Sequence, residues 1–267
     1  MGGFIMKQLL KKAKQSLAQV KLCFMASVQF LTVIPVKTEG TPDNQTMRGA
    51  IAMFPVIGIL IGIIAAVSNS LFSMALPGNT ASVLTVIVMT LLTGGLHKDG
   101  IADTADGLFG GRDAAKRLDI MRDSRIGTFG VIALIADFLL KVALITAIPS
   151  KFKTAALIMM PLAGRWGMVL ALYLFKYART EGKAKAFFEN TTTKVFSIAT
   201  ALVFVPAFFL AGFKGLAAAV LAGIGAYTVG NYIEKKINGM TGDTLGAVNE
   251  ICEILALMTI AAMAGIK

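Results

Sequence analysis

Residues 126–147 read IGTFGVIALIADFLLKVALITA, with Asp137 and Lys141 the only charged side chains. A hydrocarbon core is crossed by about 20 mostly apolar helical residues, so this segment predicts a membrane-spanning helix. The pattern recurs near 49–73, 80–96, 154–175, 195–212, 215–233 and 251–266. Composition agrees. Hydrophobic residues make up 56% of the chain, charged residues 15%, and the mean hydropathy is +0.74. Soluble domains run at about 45–50% apolar and about 25% charged. The expected fold is therefore all-α: a polytopic membrane helix bundle of about seven transmembrane helices, built as a single integral-membrane domain over 1–267.

Residues 5–21 predict an additional amphipathic helix lying in the interface. Lys7, Lys11, Lys14 and Lys21 recur at helical spacing, and Ile5, Leu9, Ala13, Leu17 and Val20 occupy another face. Residues 22–36 read as interfacial or re-entrant, with an extra crossing left open, so 1–48 forms an interfacial N-terminal segment. Lysines continue to Lys21 with no cleavage pattern behind them, which argues against a cleavable signal peptide. Cys23 and Cys252 fit no disulfide or zinc spacing.

The net charge of +11 orients the chain. With residues 1–48 inside, the segments 1–48, 97–125, 176–194 and 234–250 hold 20 Lys and Arg residues, and the opposite side holds 4. That asymmetry places these segments in the cytoplasm and suits anionic membrane lipids. No nucleic-acid-binding motif appears, so nucleic acid is not an expected partner. Thirteen of the 15 acids share the cytoplasmic segments. Carboxylates contribute little to orientation, so their gathering there points to a bound cation.

The segment 94–130, GGLHKDGIADTADGLFGGRDAAKRLDIMRDSRIGTFG, carries the chemistry. Asp99, Asp103 and Asp106 stand at i, i+4 and i+7, on one helical stripe. Such carboxylates repel unless a cation joins them. Oxygen donors favour a hard ion, Mg2+ or Mn2+, and magnesium sites are completed by substrate phosphates. Arg122 and Arg125 suit phosphate oxygens, and Gly107 permits close backbone approach. Asp123 adds an acid, and His97 is an acid/base or a hydrogen-bond donor to phosphate. A solvated face of i, i+4 salt bridges is the plainer alternative for the later charges.

A second constellation, NGMTGDTLGAVNEICE at 238–253, lies on the same expected side. Asp243 and Glu250 stand two helical turns apart and extend the metal set to Asp99, Asp103, Asp106, Asp243 and Glu250. A helix N-cap is the other role for Asp243. Arg165 lies within an apolar run, where an arginine marks a functional position or snorkels to the interface. The active-site segments are thus 97–125 and 234–250.

The strings GGLHKDGIADTADGLFGG, IMRDSRIGTFGVIAL, GRWGMVLA and GMTGDTLGAVNEICE, with FLTVIPV near the N-terminus, resemble the cobalamin synthase (adenosylcobinamide-GDP ribazoletransferase) family, in order from about residue 25 onward. The resemblance implies a magnesium-dependent phosphotransferase of the cell inner membrane acting in late cobalamin biosynthesis. It implies that the 5′-hydroxyl of α-ribazole, or its 5′-phosphate form, attacks adenosylcobinamide-GDP and releases GMP. Asp103, Asp106, His97 and Asp123 become the expected catalytic residues, with Arg125, Arg122, Arg165 and Gly107 at the substrate phosphates. Val33 stands where the family signature often has a basic residue, so no contact is assigned there. Self-association into a homo-oligomer is left open. A lipid-alcohol phosphotransferase, a transporter and a non-catalytic scaffold are the competing classes.

Overall fold

The computed structural model describes residues 2–36 and 42–265, with the side chains of 2–11 and 13 outside that description. Eleven helices follow in order: α1 (Gly2–Leu31), α2 (Asn44–Ala52), α3 (Phe54–Ser73), α4 (Gly78–Leu92), α5 (Leu96–Gly110), α6 (Ala114–Ile120), α7 (Thr128–Ala147), α8 (Ser150–Leu174), α9 (Lys185–Asn190), α10 (Thr193–Ile237) and α11 (Gly242–Gly265). No strand occurs among the described residues; Tyr177 and Met240 share a single parallel bridge.

Five of these, α3, α7, α8, α10 and α11, are long and apolar enough to cross a membrane. Treating α4 and α5 as one bent span would make six. The seven predicted runs map onto fewer helices because two of them, 195–212 and 215–233, fall within the 45-residue α10. That helix is interrupted at Gly212, whose φ of 57° and ψ of −136° suit a residue without Cβ. Chain folds back there: a Cβ at Gly215 would stand 2.0 Å from the Ala207 carbonyl oxygen. The two arms of α10 lie side by side.

The bundle is built around α8. Residues Ala156–Val169 are buried throughout, including Arg165 and Trp166. Helix α3 packs on it through Gly58 and Gly62. A Cβ at Gly58 would stand 2.5 Å from the Pro161 carbonyl oxygen, and one at Gly62 2.5 Å from the Ile158 Cα. The second arm of α10 turns a face of small residues inward, Gly215, Ala218, Ala219, Ala222, Ala226 and Gly230. Small residues are what allow helices to approach in a bilayer, where lipid tails remove the hydrophobic drive between them. Outward, α7 and α10 expose Ile132, Ile135, Leu139, Phe209 and Phe213, as lipid-facing surfaces should.

The N-terminal expectation changes in one respect. No break separates 5–21 from the following segment; α1 runs unbroken to Leu31. Its last third is anchored, with Cys23, Ala26, Ser27, Val28 and Leu31 buried and Ser27 Oγ donating to the Ala50 carbonyl at 2.8 Å. Upstream, Leu17 and Val20 are exposed. Ile5, Lys7, Leu9, Lys11 and Ala13 lie outside the described side chains.

The α3–α8 contact gives a direct test. Gly58→Val and Gly62→Val should each destabilise the detergent-purified protein by about 1–3 kcal/mol, seen as a lower thermal midpoint. Gly78→Ala, with open space around its Cα, should leave it unchanged.

Candidate active site

Helix α5 places the aspartate stripe. It leaves α4 at an angle of 91° through Gly94 and Gly95, whose φ values of 61° and 69° are left-handed. The Val33 N–H donates to the Leu92 carbonyl at 2.8 Å just before this joint. That is what Val33 does in the fold. We read α5, with three aspartates, as running across the end of the bundle outside the five long spans.

Two glycines set α5 directly against the start of α11. A Cβ at Gly100 would stand 2.6 Å from the Asp243 carbonyl oxygen and 3.0 Å from the Gly246 Cα. A Cβ at Gly246 would stand 3.1 Å from the Gly100 Cα. The two acidic stretches, far apart in sequence, therefore meet backbone to backbone. Burial, then Asp99, Asp243 and Asp106, push the Asp103 carboxyl up to about 7. Four carboxylates share this corner, and Arg179 is the cation that acts on Asp103.

Each predicted residue has a definite place. Asp99 and Asp243 line a cavity of about 330 Å³, together with His97 and Arg179. Asp243 accepts from Arg179 Nη2 at 3.3 Å and from Thr241 Oγ1 at 3.2 Å. Thr241 supplies the α11 cap in its place, exchanging hydrogen bonds with Thr244. Asp106 is buried and accepts from the Gly127 and Gly130 N–H groups at 2.7 and 2.8 Å, holding the N-terminus of α7. A carboxylate there complements the helix dipole. Gly107 faces Met121 and the Arg117 carbonyl, so the side chain it lacks makes room for α6.

Asp123 and Arg125 pair with each other on the exposed loop before α7, at 2.6 Å between Nη2 and Oδ2. The hydrogen bonds from Arg125 hold the Asp123 carboxyl down at about 2. Arg122 is also exposed. None of these three lines the cavity.

Glu250 and Arg165 belong to a different cluster, buried between the helices. Lys98 bonds to Asp137 of α7 and Glu250 of α11. Lys141 bonds to Glu250 and Glu253, and lies 3.3 Å from Asp137. Arg165 of α8 bonds to Glu253. Three cations and three carboxylates thus balance in a closed set that ties α5, α7, α8 and α11 together. Arg165 also lies 3.4 Å from His97 Nδ1. A guanidinium can only donate, so Nδ1 accepts and the proton of a neutral ring sits on Nε2, which has no partner among the described residues.

Lys98, Asp137 and Lys141 are not among the site residues expected from the sequence. The signal was present: Asp137 and Lys141 stand at i, i+4 inside an apolar run, a spacing that places opposite charges together. Arg179 was missed as well. It is carried to Asp243 by the 176–184 segment, which is pinned to the start of α11 through the hydrogen bonds Ala178 N–H to Met240 O and Met240 N–H to Lys176 O, both 2.8 Å.

The acid corner suits a hard cation by its chemistry: oxygen donors and mutual repulsion that a divalent ion would relieve. Asp99, Asp103 and Asp243 are the acids of this corner, while Glu250 is engaged with lysines. As they stand, the described residues include no group of three carboxylate, imidazole or thiol side chains gathered tightly enough to enclose an ion.

The ion cluster predicts a strong asymmetry. Glu253→Gln or Lys141→Met, by stranding a buried charge, should destabilise the protein by about 3–5 kcal/mol. Exposed Glu189→Gln should fall within about 0.5 kcal/mol. Thermal unfolding in detergent reads both.

Comparison with known proteins places the chain among relatives. The family model described as "Cobalamin-5-phosphate synthase" matches residues 23–261. A Desulforamulus reducens protein named adenosylcobinamide-GDP ribazoletransferase is 38% identical over 88% of this chain and 94% of its own length. Proteins of the same name from Clostridium tetani and Alkaliphilus metalliredigens are each 36% identical, over 90% and 91% of this chain and 96% of their own lengths. No solved structure matches. With a family match over nearly its whole length and relatives this similar, the chain belongs to the cobalamin-5-phosphate synthase family.

Proposed function

We propose that this protein joins α-ribazole, or α-ribazole 5′-phosphate, to adenosylcobinamide-GDP with release of GMP, forming adenosylcobalamin or its 5′-phosphate. The supporting observation is the meeting of α5 and α11 at Gly100 and Gly246, which brings Asp99 and Asp243 to one cavity, with Asp103 beside them on α5. Relatives that match 88% and 90% of this chain carry the name of that activity.

In this reaction an acceptor hydroxyl attacks the phosphorus next to the cobinamide. The bond to the bridging oxygen breaks, GMP leaves with that oxygen, and the hydroxyl proton passes to a carboxylate. A product that carries a phosphate on its 5′ oxygen has that oxygen blocked. The family description names such a 5-phosphate product, so another ribose hydroxyl attacks, not the 5′-hydroxyl expected from the resemblance. One corner carboxylate takes that proton; before any cation binds, burial and its acidic neighbours make Asp103 more basic than an ordinary aspartate. Arg179 and Lys183 line the same cavity and offer cationic donors to phosphate oxygens.

Magnesium or manganese, if held there, would supply positive charge against the phosphates of the donor. Asp99, Asp103 and Asp243 would supply part of its shell, with waters and phosphate oxygens completing it. The site would face the cytoplasm of the cell inner membrane, on the side of the 20 basic residues.

Asp103→Asn should lower GMP release by about 100-fold or more while the protein still inserts in the membrane. Activity that survives excess chelator would count against the metal. A pH experiment follows from the raised Asp103 pKa. Between the ordinary carboxylate range and about 7 the folded protein holds a proton that the unfolded chain has lost, so this group's contribution to stability falls as pH rises through that window. Thermal midpoints should therefore respond more to added magnesium at pH 8 than at pH 5.5, and Asp103→Asn should flatten the difference.

A further inference from the structure

The cavity beside the acid corner has two unlike sides. Helix α5, the start of α11 and the 176–184 segment bring Asp99, Asp243, His97, Arg179 and Lys183. Elements α1, α3, α8 and α9 bring Phe30, Phe54, Met168, Leu172 and Phe187, none of which has a strong hydrogen-bonding side chain. Three of these rings form one unit: Phe30 and Phe187 have centroids 4.3 Å apart, Phe30 and Phe54 5.7 Å, and Phe54 and Phe187 6.0 Å.

Resting on the reaction proposed above, we infer that this aromatic side is the seat of the acceptor's base, so the nucleoside enters with its apolar bicycle against Phe30 and Phe187 and its ribose toward Asp99 and Asp243. Size is the first reason. A cavity of about 330 Å³ lies at the lower end of the range for small-molecule sites. It accommodates a nucleoside and cannot enclose a corrinoid bearing a nucleoside diphosphate.

Polarity is the second reason, and it decides between the two bases in the reaction. Guanine carries N–H, NH2 and carbonyl groups along its edge. Buried against phenylalanine and leucine, each would go unpaired at a cost of about 1–3 kcal/mol, or roughly 5- to 150-fold in affinity. The dimethylbenzimidazole of α-ribazole has no N–H and one free ring nitrogen, so it loses little there and gains stacking. The guanosine half of the donor is thereby left outside the aromatic side, and GMP can depart without crossing it.

Kinetics of the full-length protein in liposomes test this. Phe30 is partly exposed, so Phe30→Ala should fold normally. It should raise KM for α-ribazole about tenfold or more, as loss of a base-stacking ring does, and leave KM for adenosylcobinamide-GDP and kcat within about twofold. Phe187→Leu, which keeps the apolar volume, should give a smaller shift in the same parameter. Equilibrium dialysis of α-ribazole should show the same loss without turnover, and guanosine should not displace it. A rise in donor KM with unchanged acceptor KM, or displacement of α-ribazole by equimolar guanosine, would overturn the assignment. Should the wild type bind α-ribazole in a Phe30-dependent way yet release no GMP, the proposed reaction would fall and the base seat would stand.

Discussion

The close approach of α5 to α11 at Gly100 and Gly246 is the constraint on which the site rests. Any larger residue at either position meets backbone, not a side chain that can swing away. Small residues are what let two helix backbones approach this closely. The contact leaves no space between the aspartate stripe and the first turn of α11, so Asp99, Asp103 and Asp243 are held together despite their mutual repulsion. Burial first, and that repulsion second, raise the Asp103 pKa.

What holds such an unfavourable corner in place is the balanced ion cluster behind it. Lys98 begins α5 and reaches carboxylates on α7 and α11; Lys141 and Arg165 close the set from α7 and α8. A buried pair is weak as a source of net stability, but it is strongly selective, because any displacement strands a charge. The cluster therefore acts as a register lock for α5. Asp106 adds a second lock at the other end of that helix by capping α7. The neighbouring acids can then be directed at a ligand while the helix carrying them stays fixed.

Much of this was legible in the sequence. Apolar runs gave the helical membrane bundle, since a 20-residue charge-free segment has few other uses. The i, i+4, i+7 spacing put Asp99, Asp103 and Asp106 near one another, and the structure has both Asp99 and Asp106 acting on Asp103. Partnership was the harder part. Periodicity fixes the face of a helix and not what stands opposite it, so Glu250 read as a companion of Asp243 when its partners are Lys98 and Lys141. Gly107 read as room for a ligand when α6 fills the space. Arg179 carried no local pattern at all; a short bridge between Tyr177 and Met240 delivers it, and such pairings have no period to read.

Cysteine cross-linking in intact membranes tests the central contact most directly. Asp99→Cys and Asp243→Cys place one thiol on each helix, and native Cys23 and Cys252 are buried and compete little. A short bifunctional thiol reagent should join the introduced pair in high yield, and Gly246→Val in the same chain should reduce that yield sharply. If the two thiols instead react with an impermeant reagent from opposite faces of the membrane, α5 and α11 do not meet and the site described here does not exist.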